Sequence, residues 1–203
     1  MSERSSQARV SSDLEANTTR SDLHLVEAVR AGDARAAAPL YAALRPSIER
    51  ALYSVLRGRP SEFEDLMQTT YERVLRTTAQ GNFEGRSQLK TWASSIAAHT
   101  AVDHIRRRSV EQKLCSELEW TSVDPHSPNY DPERQLEARS EMLEVQGVLR
   151  RMKPRQATML VMHDALGHSV PDIASHLGLN LNSARSTLGR ARKEFARRYT
   201  PTR

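Results

Sequence analysis

Cysteine is all but missing from this sequence: Cys115 is the single one in 203 residues. One thiol excludes an internal disulfide framework and any cysteine-rich zinc site. No apolar run approaches the roughly eighteen residues of a membrane helix, and residues 1–20 contain no hydrophobic core of a signal peptide. A cytoplasmic chain without stable membrane insertion is therefore expected. Phe and Ile are scarce and aromatics reach only 5%, whereas Ala, Arg, Leu and Glu dominate, which favours helix over strand. Strand-period alternation and internal repeats are both lacking. So are the marks of an enzyme. His163 and His168 are five apart, as are His99 and His104, so neither pair has the i, i+4 spacing of a helical zinc site. There is no glycine loop to cradle phosphates and no nucleophile beside an evident base. The expectation is a non-enzyme with no cofactor and no metal.

What is present is charge, unevenly placed. The net +5 conceals +3 over residues 21–108, −6 over 109–144 and +8 over 145–203. Two basic blocks around an acidic one suggest two polyanion-binding domains with a joint between them. The length allows one or two domains with real cores.

Helical signals run through both basic blocks. A short helix starts at Ser21 and stops at Gly32, Asp33 can cap the next, and Pro39 should kink it or delay its start. Pro46 suits the first turn of a third helix ending near Arg57 and Gly58. Ser61 and Glu64 read as a capping box before a helix whose apolar face holds Phe63, Leu66, Met67, Thr70, Tyr71, Val74 and Leu75. A loop with Gly81 and Gly85 then leads to a long helix from about Ser87 to Arg108, ending in three arginines. Trp92 lies on its apolar face and reads as core.

From Ser109 to about Glu133 periodicity fails, Pro125, Pro128 and Pro132 intervene, and six acidic residues face Lys113 alone. This reads as an extended acidic linker. At roughly 3.3 Å per residue its twenty-five residues could span about 80 Å. Past it, a short helix (Val170 to His176), a turn at Gly178 and a second helix from about Asn182 to Tyr199 form a helix-turn-helix pattern. Ala184, Leu188, Ala191 and Phe195 make the buried seam of the second helix. Ser183, Arg185, Ser186, Thr187 and Arg190 face outward, short hydroxyls and forked cations of the kind that reads a major groove.

Two segments resemble a known family. Glu64 to Arg76, Phe83 to Arg86, Lys90 to Ala97 and Asp103 to Arg108 resemble region 2 of bacterial sigma factors. Met152 to Gln156, Gly167 to Ala174, Leu177 to Leu179 and Ser183 to Lys193 are similar to region 4. Both segments, in this order and at this length, resemble the small extracytoplasmic-function (ECF) class of the sigma-70 family. The resemblance implies an all-α fold of two small helical domains, a region 2 bundle and a region 4 helix-turn-helix, joined by the acidic linker. The expected boundaries are a disordered tail at 1–20, region 2 at 21–108, the flexible linker at 109–135, region 4 at 136–199 and a tail at 200–203, with no C-terminal sensor domain.

The resemblance also implies roles. Asp65, Gln68, Glu72 and Arg73 would dock on the core RNA polymerase. Asn82, Phe83, Gly85 and Arg86 would trap a flipped base of the −10 element, the aromatic and the cation suiting an unstacked base. Lys90, His99, Asp103, Arg106 and Arg107 would follow the phosphates of that strand. Ser183, Arg185, Ser186, Thr187 and Arg190 would read the −35 duplex. His99 stands where the family usually has Asn, and Thr187 where a basic residue is common. The implied function is an alternative sigma factor that recognises and melts promoters, with core RNA polymerase, promoter DNA and a cognate anti-sigma factor as partners. Two other readings stay open: a stand-alone helix-turn-helix regulator, and a sigma-like polymerase-binding protein that does not melt promoters.

Overall fold

The computed structural model describes residues 21–57, 60–114 and 132–199, with side chains outside 110–139. The expectations for the tails at 1–20 and 200–203 and for most of the linker lie outside these residues. Helices account for nearly all of the described chain, and no strand occurs among the described residues.

Helix α1 covers residues 21–30, and a 3-10 turn at Ala34–Ala36 follows, capped by Asp33, whose carboxylate accepts from the Arg35 amide. Helix α2, Ala37–Leu56, corrects the reading of its prolines. Pro39 falls in its first turn and Pro46 in its interior, yet the helix is unbroken. Leu40, Leu44, Ile48 and Leu52 are each completely buried at i, i+4 spacing. Burial of each such side chain stabilises by roughly 1.5–3 kcal/mol. Together they outweigh the roughly 3 kcal/mol of an interior proline. Arg57, in the left-handed region at φ 53°, ends the helix.

Helix α3, Phe63–Ala79, also starts differently from expectation. The capping box does not form: Glu62 is the cap residue without a side-chain cap bond, and the Ser61 hydroxyl donates instead to the Glu62 carboxylate at 3.0 Å. Tyr71 packs edge-on against Tyr41 of α2, centroids 4.7 Å apart, and its hydroxyl donates to the Ala37 carbonyl. Helix α4, Leu89–Leu114, reaches six residues beyond the expected end at Arg108, into the stretch read as linker. Its small residues Ala93, Ala97, Ala98 and Ala101 are fully buried, letting α4 lie close against α2.

The second unit begins with α5, Pro132–Arg151, and continues through α6, Pro154–Leu160, and a π turn at Val161–Ala165. Helices α7, Val170–His176, and α8, Leu181–Arg198, follow. The expected caps are local and real. Ser169 accepts from the Asp172 amide at 3.2 Å, and Asn180 accepts from the Ser183 amide at 2.8 Å. Gly178, at φ 62°, makes the turn that a residue with a Cβ would strain. Met159, Met162, Ile173, Ala174 and Ala184 form a small core of this unit's own. Val148, Leu149, Met152, Leu160, Val161 and Leu166 belong instead to the continuous cluster built on α2 and α4. The two units are therefore packed on each other.

Candidate nucleic-acid interface

The polar face of α3 is open where expected. Asp65, Gln68 and Glu72 are exposed, and Gln68 Nε2 donates to Glu72 Oε1 at 3.0 Å. Arg73 differs: it is half-buried, its Nη1 donates to Thr100 Oγ1 at 3.2 Å and lies 3.7 Å from Asp103 Oδ2. It braces α3 on α4 as well as bordering the face.

The glycine loop places Asn82, Gly85 and Arg86 in solvent but not Phe83. The expectation that Phe83 receives a base is corrected here. Gly81 and Gly85 both have positive φ, so the loop folds back and drops Phe83 into the core against Trp92, centroids 5.2 Å apart. Arg30 of α1 holds the loop there, donating to the carbonyls of Phe83 and, at 3.2 Å, Gly81. Burying two touching aromatics gains more than leaving one in water. Trp92, read as core, is core.

On α4, Lys90, His99 and Arg107 are exposed. Asp103 lies among cations: His99 Nδ1 is 3.1 Å from Oδ2, Arg73 follows at 3.7 Å, and Arg106 Nη1 is 3.9 Å from Oδ1. Arg106 is not the open phosphate ligand expected. Its Nε donates to the Arg150 carbonyl at 3.1 Å and its Nη2 to the Met152 carbonyl at 2.5 Å, so it satisfies backbone acceptors at the end of α5.

The outer side of α8 matches expectation most closely. Arg185, Ser186 and Arg190 are exposed, Ser183 and Thr187 half-buried, and Arg190 Nη2 donates to Thr187 Oγ1 at 3.3 Å. Ala184, Leu188 and Ala191 are buried behind them. A brace the sequence did not reveal ties α8 to the π turn. Arg192 forks onto Asp164, holding its carboxyl below the usual carboxylate range. With 28 residues between the partners, no local spacing signalled the pair.

These surfaces can grip a backbone and read base edges; among the described residues no group of His, Cys, Asp and Glu could hold a metal ion. No helix among them is long and apolar enough to cross a membrane.

Residues 40–110 match the family described as Sigma-70 region 2, and residues 142–195 the family described as Sigma-70, region 4. The chain is 26% identical over 155 residues to the ECF RNA polymerase sigma factor SigX of Bacillus subtilis, covering 76% of this chain and 78% of that protein. It is 28% identical over 144 residues to the RNA polymerase sigma factor YlaC of the same organism, covering 69% and 79%. Among solved structures, CnrH in complex with the cytosolic domain of CnrY is similar at 20% identity and a TM-score of 0.49, over 87% of this chain and 95% of that one.

Proposed function

We propose a division of labour along this chain from one premise: it belongs to the sigma-70 family and is an alternative sigma factor of the ECF class. The open stripe Asp65, Gln68 and Glu72, with Arg73 at its border, docks on core RNA polymerase in the cytoplasm. Asn82, Gly85, Arg86, Lys90, His99 and Arg107 take the separated −10 strand, cations following phosphates and the loop receiving an unstacked base. Phe83 supports that loop from below. Ser183, Arg185, Ser186, Thr187 and Arg190 read the −35 duplex in the major groove. Initiation of this kind needs no catalytic group from the chain, since polymerase supplies the chemistry. A cognate anti-sigma factor is its expected regulator.

The observation that carries this reading is the pairing, on one chain, of an open hydrogen-bonding face on α3 with a helix-turn-helix whose reading side is exposed. A stand-alone regulator would have no use for the first. The test is to add the purified chain to core polymerase on promoters drawn from a random pool by the reconstituted holoenzyme. Specific transcripts that require the chain are expected. Specific DNA binding without transcripts would indicate a stand-alone regulator. Co-purification with core but no initiation would indicate a polymerase-binding protein that does not melt promoters.

A further inference from the structure

The two units hold each other by side chains of one and backbone carbonyls of the other. Gln146 of α5 is buried and donates to the Val55 and Leu56 carbonyls at the end of α2, at 3.2 and 3.4 Å. Arg50 of α2 donates to the Leu166 carbonyl at 3.4 Å. Arg106 of α4 takes the Arg150 and Met152 carbonyls. At the loop, the Ser175 hydroxyl of α7 donates to the Arg86 carbonyl. The Arg86 side chain lies on the turn of the helix-turn-helix, where a Cβ built on Gly178 would meet its Nη1 at 2.8 Å. Apolar residues from α5, α6 and the π turn complete the same joint.

The consequence is unequal for the two DNA surfaces. Region 4 sits on the loop and occupies one cation of the −10 surface, Arg106. Arg185, Ser186 and Arg190 on α8 stay in solvent. We propose that the chain free of polymerase is half-masked: region 4 clasps the −10 loop and Arg106, closing the single-strand surface, while the −35 reading helix stays open. Arg106 then has two alternative partners, the α5 carbonyls in the closed chain and strand phosphates in the opened one. A strand entering the −10 surface has to displace region 4 first. A duplex at α8 does not. This inference rests on the assignment of the two DNA surfaces above.

The test uses the full chain without polymerase and two probes cut from a holoenzyme-selected promoter, a −35 duplex and a −10 non-template single strand. Arg50 and Ser175 are exposed and outside both DNA surfaces, so Arg50→Ala with Ser175→Ala removes clasp bonds at little risk to the fold; Gln146→Ala is a second variant. The expected result is strand binding about 5–10-fold tighter in both variants, because a larger fraction of chains is open, with duplex binding unchanged. Amide exchange at residues 81–86 should quicken in parallel. Unchanged strand affinity in the Arg50/Ser175 variant overturns the proposal, as does an equal gain for both probes. Should Gln146→Ala fail to fold, the Arg50/Ser175 variant decides alone. Absence of any −35 duplex binding by the wild-type chain would instead count against the assignment of α8, a separate failure.

Discussion

Asp164 and Arg192 meet in a two-pronged ion pair that ties the π turn to the recognition helix. Arg192 Nε donates to one carboxylate oxygen at 3.0 Å, Nη2 to the other, and His163 Nδ1 lies 2.8 Å from the latter oxygen. Arg192 is half-exposed and Asp164 more than a third exposed, so water and salt screen the pair. Asp164→Ala should lower stability by at most about 1 kcal/mol, the range of exposed pairs with good geometry. Thermal melts at low salt and at about 1 M salt check this, since screening should erase most of the difference. An undiminished difference at high salt would mean that the pair acts through packing.

Upstream recognition should depend on Arg185 and Arg190. Each projects into solvent from α8, backed by the buried Ala184, Leu188 and Ala191. Arg185→Ala and Arg190→Ala should each weaken −35 duplex binding without altering the fold. Loss of a base contact costs roughly 1–3 kcal/mol and relaxes specificity, whereas loss of a phosphate contact weakens all sequences alike. Titrations against matched and mismatched duplexes separate the two. Normal binding by both variants would remove α8 from the groove.

Polymerase assembly should depend on the open face of α3. Asp65→Arg combined with Gln68→Ala reverses one charge and removes the exposed bond from Gln68 to Glu72. Neither side chain is buried, so the far-ultraviolet circular dichroism should stay unchanged. Co-purification with core polymerase should be lost. Retained assembly would move the docking face elsewhere.

The architecture was legible wherever the signal was local. Ser169, Gly178 and Asn180 each act within four residues of their own position, so the helix-turn-helix could be read directly. Pro39 and Pro46 misled because a breaker is a local signal, whereas the buried stripe from Leu40 to Leu52 takes effect only once α4 is packed on it. Phe83 misled because its pattern, an aromatic between glycines and next to cations, is the same whether the ring faces water or Trp92. The joint between the units was invisible. Its acceptors are main-chain carbonyls, which any residue provides, and its donors lie from 44 to 116 residues away.

Phe83 and Arg86 should now separate by experiment. Phe83 is buried against Trp92, so Phe83→Ala should destabilise the region 2 core by roughly 3–5 kcal/mol, as truncation of a buried aromatic does. Arg86 is half-exposed, and Arg86→Ala should leave the melt nearly unchanged while weakening −10 strand binding by the holoenzyme. Denaturant titration alongside strand binding checks both. A stable Phe83→Ala variant that loses only strand binding would restore the ring to the DNA surface.

Acid should loosen the second unit through two histidines. Burial pushes the His168 imidazole below its ordinary value; Asp172 opposes this and Arg50, reaching from α2, reinforces it. Burial likewise lowers His176, and the neighbouring His168 adds to the effect. Both rings are thus harder to protonate in the folded chain than in the unfolded one. Their contribution is complete above the unfolded value of 6.5 and is lost as the pH falls below it, because the unfolded chain then binds more protons. Asp164, held low by Arg192, loses its contribution only in the more acidic range of carboxylates. The thermal midpoint should therefore fall between about pH 6.5 and 5, and His168→Gln with His176→Gln should flatten that slope. Melts of both proteins across this range give the comparison. Equal slopes would assign the acid sensitivity to other groups.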